Sequence, residues 1–186
     1  MAYPYTEKLA LPLKHCHLNS YHFKQKCYYD NVYWGIHLGE DINCPANTKV
    51  FCIGRGRVVY STIHPGDKNK KNWGNIIIVA HKNPLTKKVF FSLYAHLQKR
   101  FVKKGDSLKL NQIIGTVGKS NSPENGYWKE AHLHFAIYTG KWNGLVLPGY
   151  WKEGDFRTKL SDWKNPIKFI SSFNKQRALH SLNENL

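Results

Sequence analysis

Acidic residues are scarce in this chain of 186 residues: twelve Asp and Glu stand against twenty-eight Lys and Arg, a formal net charge of +16. That balance favours anionic partners such as nucleic acid, anionic lipid or a cell-wall polymer, and charge alone does not choose among them. No apolar stretch approaches the ~20 residues that cross a bilayer. The opening MAYPYTEKLALPLKH has no apolar h-region, so the sequence shows no signal peptide, which leaves a removed leader, an internal life or another export route. Internal repeats and low-complexity linkers are missing. The four cysteines, Cys16, Cys27, Cys44 and Cys52, form no CxxC pair, which speaks against a structural zinc knuckle or a thioredoxin-like motif. No HExxH helix occurs, so a glutamate base of the zincin kind is excluded. The aromatics form neither an RNP-like nor a zinc-finger pattern, and a specific nucleic-acid binder is left with charge as its sole support.

What is present is a globular composition, 41% hydrophobic and 14% aromatic, of a length that suits one domain. Its punctuation is that of an all-β protein. KVFCIG, GRVVYST, WGNIIIVAH, VFFSLYAHL, QIIGTVG and AHLHFAIY are short runs rich in Val, Ile, Phe and Tyr, separated by Gly, Asn, Pro and Lys clusters. A helical signal appears near the end, in NPIKFISSFNKQRAL, with Asn165 as N-cap and Pro166 at the first helical position. Residues 1–33 read as an N-terminal wrapping segment, 34–170 as a single domain, and 171–186 as a C-terminal tail. Residues 139–165 read as a long loop over the sheet.

A lone histidine is more often a surface or core residue than a ligand, and of the ten present most have no partner at ligand spacing. His15 and His17 stand two apart but lack strand flanks and a nearby carboxylate. Three places differ. In WGIHLGEDIN, His37 and Asp41 are four apart, on one face of an extended strand, with Gly39 between them leaving room for close approach; Glu40 alternates away. In EAHLHFAIY, Leu133, Phe135 and Ile137 face one way, while His132, His134, Ala136 and Tyr138 face the other. In SLYAHL, alternation assigns Phe91, Leu93, Ala95 and Leu97 to the core face and Ser92, Tyr94 and His96 to the other. Neutral imidazoles plus one carboxylate suit zinc, and three protein ligands with an open position are the catalytic arrangement. Five candidate groups exceed three ligands, so the spare imidazoles can work as acid, base or transition-state donors. Tyr33, Trp34, Trp73, Tyr94 and Trp128 flank these motifs and are candidates to line a groove.

HLGED, WGNIIIVAH, SLYAHL, VKKGDSLKLNQIIGTVG and AHLHF, in that order, resemble the lysostaphin-type (LytM-like) zinc endopeptidases that act on peptidoglycan, over about residues 34–138. The resemblance implies an all-β fold: an antiparallel β-sheet or sandwich core of the duplicated-hybrid-motif type, a long groove walled by loops, and a short C-terminal helix. It implies zinc held by His37, Asp41 and His134, with catalytic roles for His96 and His132. It implies hydrolysis of amide bonds in peptidoglycan cross-links or stem peptides, adsorption to an anionic wall surface, a monomer, and a periplasmic or secreted location. The exported habitat, an even cysteine count and two short spacings together lead to expected disulfides Cys16–Cys27 and Cys44–Cys52, against the alternative of four buried thiols. Two departures stand out. Ala136 replaces the polar residue that usually follows HLHF, and the loop KSNSPENGYWKEA is longer than its compact counterpart. The rival readings are a catalytically silent domain of the same fold that binds or activates a cell-wall hydrolase, and, from residues 102–118 alone, a biotinyl- or lipoyl-carrier domain, which leaves the histidines unexplained.

Overall fold

The computed structural model describes residues 3–15, 17–18 and 21–183. Strands β1 (His17–Leu18), β2 (Lys26–Tyr29), β3 (Val32–His37), β4 (Glu40–Asn43) and β5 (Lys49–Phe51) come first. The long strands β6 (Gly56–His64), β7 (Gly74–Lys82) and β8 (Val89–Arg100) follow, then β9 (Ser107–Leu108), β10 (Ile113–Val117) and β11 (His132–Tyr138). Two short strands, β12 (Tyr150–Trp151) and β13 (Trp163–Lys164), precede a helix, α1 (Pro166–Asn183). Each β-rich run read from the sequence is a strand, and the all-β class with one terminal helix holds. The paired strands are antiparallel. The main sheet runs β1-β4-β11-β8-β7-β6-β9, with β10 bridging β5 and β8 and β13 added to β11; a second sheet has the order β12-β3-β2. The region read as a loop over the sheet, 139–165, thus supplies one edge strand to each sheet.

The alternation in β11 sorts its side chains as the sequence demands. Leu133, Phe135 and Ile137 join one apolar cluster with Tyr94, Ile170 and Phe173, while Ala136 and Tyr138 join the other with Ile76, Ile78 and Leu147. All seven β11 residues are buried, because the helix covers one face and the 139–165 segment covers the other. The helix starts where its cap signal lies: Asn165 Oδ1 accepts from Lys168 N–H at 2.9 Å. It continues past residue 170, where the sequence reads the domain's end, and carries Phe173 into the core. In the N-terminal segment Leu9 is buried, and its backbone exchanges hydrogen bonds with the Asn174 amide at 2.9 and 2.8 Å.

Three expectations are corrected. First, β8 alternates as expected only as far as Ala95. Phe91, Leu93 and Ala95 share one face and Tyr94 the other, but Leu97 packs in the cluster of Tyr94, and the face of Leu93 and Ala95 is that of Ala136 rather than that of Phe135. Second, Cys44 and Cys52 are separate buried thiols, Sγ donating to the Ile42 carbonyl at 3.5 Å and the Gly54 carbonyl at 3.0 Å, so no Cys44–Cys52 bridge exists. Cys16, and with it the Cys16–Cys27 pairing, lies outside the described residues. Cys27 itself is a buried thiol directed at the Gln25 carbonyl. Third, His37 and Asp41 do not share one strand. His37 ends β3 in the small sheet, and Asp41 lies in β4 of the main sheet.

Candidate metal centre

A straight strand would hold Cα atoms four residues apart at roughly 13 Å. The chain instead turns between sheets at Leu38–Gly39, and His37 Nε2 comes within 3.2 Å of Asp41 Oδ1. Gly39 is required at this crossing: a Cβ there would lie 2.6 Å from the Phe135 carbonyl oxygen and 2.8 Å from His134 Nε2. Pairing of β11 with β4 sets His134 opposite Asp41. His134 Nδ1 then lies 2.8 Å from Asp41 Oδ1 and 3.0 Å from His37 Nε2. All three residues are buried.

The donor set identifies what these atoms want. His37 Nδ1 faces the His22 carbonyl at 3.2 Å, and a carbonyl can only accept, so the proton sits on Nδ1 and Nε2 keeps its lone pair. Asp41 Oδ1 is a second acceptor. Burial works to raise the Asp41 carboxyl, but the adjoining His37 and the hydrogen bond from His134 outweigh it and hold the group well below the usual carboxylate range. One proton on His134 Nδ1 can satisfy only part of this convergence, whereas a cation satisfies every lone pair together. Zinc bonds of about 2.0–2.2 Å in a tetrahedron separate their ligand atoms by roughly 3.3 Å, close to the observed spacings. The residues therefore fit zinc. His134 Nε2, by contrast, is buried with no hydrogen-bond partner among the described residues. Ala136 sits in an apolar cluster, so position 136 supplies no polar contact to this ring.

His96 reaches the site by breaking strand regularity. Its φ is +62°, a left-handed conformation uncommon outside glycine. The β7–β8 register shifts between the Asn75–Leu97 and Ile77–Tyr94 pairs, as a bulge requires. Two consecutive residues, Ala95 and His96, thereby lie on one side. The bulge is braced by His96 N–H to the Trp73 carbonyl (3.0 Å) and by Gly118 N–H to the His96 carbonyl (2.8 Å). The His96 ring stacks obliquely on His132, centroids 4.6 Å apart, and lies 6.1 Å from His134. His96 Nδ1 donates to the Asn125 carbonyl at 2.9 Å, and His132 Nδ1 to the Glu130 carbonyl at 2.9 Å, so each neutral ring carries its proton on Nδ1 and its lone pair on Nε2. Burial, then the neighbouring His132 and His134, hold the His96 imidazole well below its usual pKa, which keeps it neutral and able to accept a proton.

The structure thus brings together all five residues singled out in the sequence. A groove of about 450 Å³ has His96 and His134 in its lining, and a smaller hollow of about 170 Å³ is bordered by Asp41 and His132. Trp34, Trp73 and Trp128 line the larger one, as the sequence suggests. Tyr94 does not: it is fully buried on the opposite face, where its hydroxyl accepts from Ile53 N–H. Tyr33 packs against Tyr28 instead. Sequence reasoning missed Tyr150, whose ring lies 5.6 Å from His37, and the carbonyls of His22, Asn125 and Glu130 that fix the imidazole tautomers. Backbone acceptors leave no residue-type signal. Glu40, set aside for its alternation, is engaged elsewhere, accepting from Phe23 N–H (3.2 Å) and Asn165 Nδ2 (3.2 Å).

The family model described as Peptidase family M23 matches residues 35–145, more than half of the chain. The peptidoglycan DD-endopeptidase ShyC of Vibrio cholerae is 33% identical over 99 residues, 53% of this chain but 19% of ShyC. The Escherichia coli lipoprotein YgeR is 29% identical over 103 residues, 55% of this chain and 35% of YgeR. The chain therefore corresponds to well under half the length of these relatives. Among solved structures, the catalytic domain of the antimicrobial peptidase lysostaphin from Staphylococcus simulans superposes with a TM-score of 0.53 at 25% identity, covering 82% of this chain and 90% of that domain. A zinc-containing peptidase from Vibrio cholerae superposes with a TM-score of 0.54 at 28% identity, covering 68% of this chain and 35% of the other.

Proposed function

The chain belongs to peptidase family M23, and from that premise we propose that it is a zinc-dependent endopeptidase that hydrolyses amide bonds in the cross-links or stem peptides of peptidoglycan. The observation that carries this reading is the convergence of His37 Nε2, Asp41 Oδ1 and His134 Nδ1 within 3.2 Å of one another, beside two further imidazoles on a groove floor. His37, Asp41 and His134 would hold the zinc. Bound there, the metal supplies Lewis acidity, which polarises a carbonyl and makes water nucleophilic near neutral pH. The protein's own share is proton handling at His96 Nε2 and His132 Nε2. A neutral imidazole would take the proton from the attacking water at Nε2. The imidazolium so formed would donate from Nε2 to the developing oxyanion and then give that same proton to the leaving amine, while the second ring accepts from the water through its own Nε2 and orients it. Their fixed Nδ1–H bonds to carbonyls hold both rings in the tautomer this needs. The rigid tryptophan walls orient the peptide across these groups.

The reading places the protein in the cell envelope, periplasmic or secreted, as a monomer adsorbed through its net charge of +16 to an anionic wall. No described helix is long and apolar enough to cross a membrane. The test is digestion of purified sacculi of known chemistry by the zinc-loaded protein, with mass spectrometry of the released muropeptides. Release that stops with chelator and returns with zinc is the expected result. No release from any sacculus would leave a silent domain that binds or activates another hydrolase.

A further inference from the structure

One cation in the groove is half-buried and held in place, with no carboxylate partner among the described residues. Lys71 and Trp128 line both the 450 Å³ groove beside His96 and His134 and the 170 Å³ hollow beside Asp41 and His132. Lys71 therefore stands at the junction of the two spaces that meet over the candidate metal centre. Its ammonium donates to the Tyr127 carbonyl and lies over the Tyr127 ring at 5.2 Å and the Tyr29 ring at 6.0 Å from the centroids. The backbone beneath it is locked. Asn72 N–H donates to the Gly126 carbonyl at 3.0 Å, and Trp128 Nε1 donates to the Asn72 carbonyl at 3.0 Å. Glycine makes this close approach possible: a Cβ on Gly126 would lie 1.9 Å from the Asn72 carbonyl oxygen.

The other groove cations are placed differently. Arg157 forms a two-pronged pair with Asp155, Nε to Oδ1 at 3.0 Å and Nη2 to Oδ2 at 2.6 Å. Lys152 is exposed and lies over the Tyr33 ring at 5.8 Å. No carboxylate of the described residues is within ion-pair distance of Lys71. A half-buried ammonium with one carbonyl acceptor has two N–H donors left, and a charge-assisted bond to an incoming carboxylate is the strongest use for them.

We propose that Lys71 is the specificity-determining residue of the groove: it recognises a free carboxylate on the peptide substrate close to the scissile amide, and so selects acidic stem peptides over uncharged bridges. The inference rests on the endopeptidase reading of the same site and names its substrate class.

The experiment uses the zinc-loaded protein and two synthetic branched stem peptides that differ only in one carboxylate, free in one and amidated in the other. Binding is read from groove tryptophan fluorescence and hydrolysis from chromatography. The wild type should bind the free acid at least about 10-fold more tightly, and KM should carry the difference. Lys71→Met should bring the ratio of the two affinities close to one, and Lys71→Arg should restore most of it. If Lys71→Met weakens both peptides equally, the residue only braces the Tyr127 loop and the proposal is overturned. Equal wild-type affinity for the two peptides overturns it as well. Binding that discriminates without any hydrolysis would sink the endopeptidase reading and leave the assignment of Lys71 standing.

Discussion

The Nδ1 of His96 donates to the Asn125 carbonyl at 2.9 Å, a bond between a strand bulge and a loop twenty-nine residues away. It fixes the ring while contributing nothing to the three-atom cluster, which is built from His37, Asp41 and His134. Ligand and proton carrier should therefore separate on mutation. His134→Ala removes one of three donors, so metal content should fall steeply and activity with it. His96→Ala leaves the donors in place; zinc should stay near one per chain while turnover drops by about 10²–10⁴-fold, as expected on losing a general acid or base. Elemental analysis beside muropeptide release decides the matter. Zinc lost from His96→Ala and kept by His134→Ala would reverse the two roles.

Gly39→Ala should damage the same centre without touching a ligand. The added methyl meets a backbone oxygen of the sheet at 2.6 Å and the His134 ring at 2.8 Å. The sheet is the stiffer neighbour, so the ring should move, all the more because its Nε2 has no hydrogen bond to hold it. Overpacking of this kind costs about 1–3 kcal/mol. A lower urea midpoint together with weakened zinc affinity is the expected outcome. An unchanged zinc affinity would mean that the ring is steadied in a way these contacts do not show.

The fold class and the clustering of the five candidate residues were legible because they are written in side chains. Apolar alternation in AHLHFAIY assigned both faces of β11 correctly, and Asn165-Pro166 marked the helix start. The errors arose where the backbone departs from regularity. Counting alternate residues through SLYAHL fails at His96, since a residue at φ +62° adds one position to a face, and a histidine there looks like any other in sequence. The spacing of His37 and Asp41 pointed to two side chains that the structure does bring together, but by another geometry, because the turn at Leu38–Gly39 moves the chain from one sheet to another. The groove walls were half legible. Tryptophans near the motifs line it, but Tyr150 enters from a strand more than a hundred residues downstream of His37, and nothing local to either residue reports that pairing.

The thiols should be reduced and inert in the native protein. Burial pushes the Cys27 thiol up to about 12, with Asp41 adding to the effect, and pushes Cys52 up to about 11. Thiolate is the reactive form, so both should resist a thiol reagent at pH 8 in the folded state and react on unfolding without reductant. A Cys44–Cys52 cross-linked peptide in a non-reducing digest would contradict the packing around these two residues.

His81 should make the fold sensitive to mild acid. Its ring is fully buried on the face opposite the metal centre, stacked on Phe90, with Nδ1 donating to the Arg55 carbonyl at 2.9 Å. Its Nε2 lies 2.7 Å from Ser92 Oγ, which is 3.0 Å from the Tyr94 hydroxyl. No described carboxylate pairs with it, so a proton on Nε2 would place an uncompensated charge among apolar side chains. Burial accordingly pulls its pKa from 6.5 down to about 4. The unfolded chain takes up a proton near 6.5 and the folded chain only near 4, so between those values the unfolded state binds more protons. The stabilisation from keeping His81 neutral is complete above about pH 6.5 and is lost as pH falls towards 4. The total loss is about 3 kcal/mol for a shift of this size. His96 and His134 titrate with the same sign, so the measurement must be a difference. Urea midpoints of the wild type and His81→Gln, compared from pH 7 to pH 4, should converge as the wild type weakens by up to about 1.4 kcal/mol per pH unit more than the variant. Parallel curves, or an NMR titration of the His81 ring centred near 6.5 in the folded protein, would show that the buried imidazole does not govern acid stability.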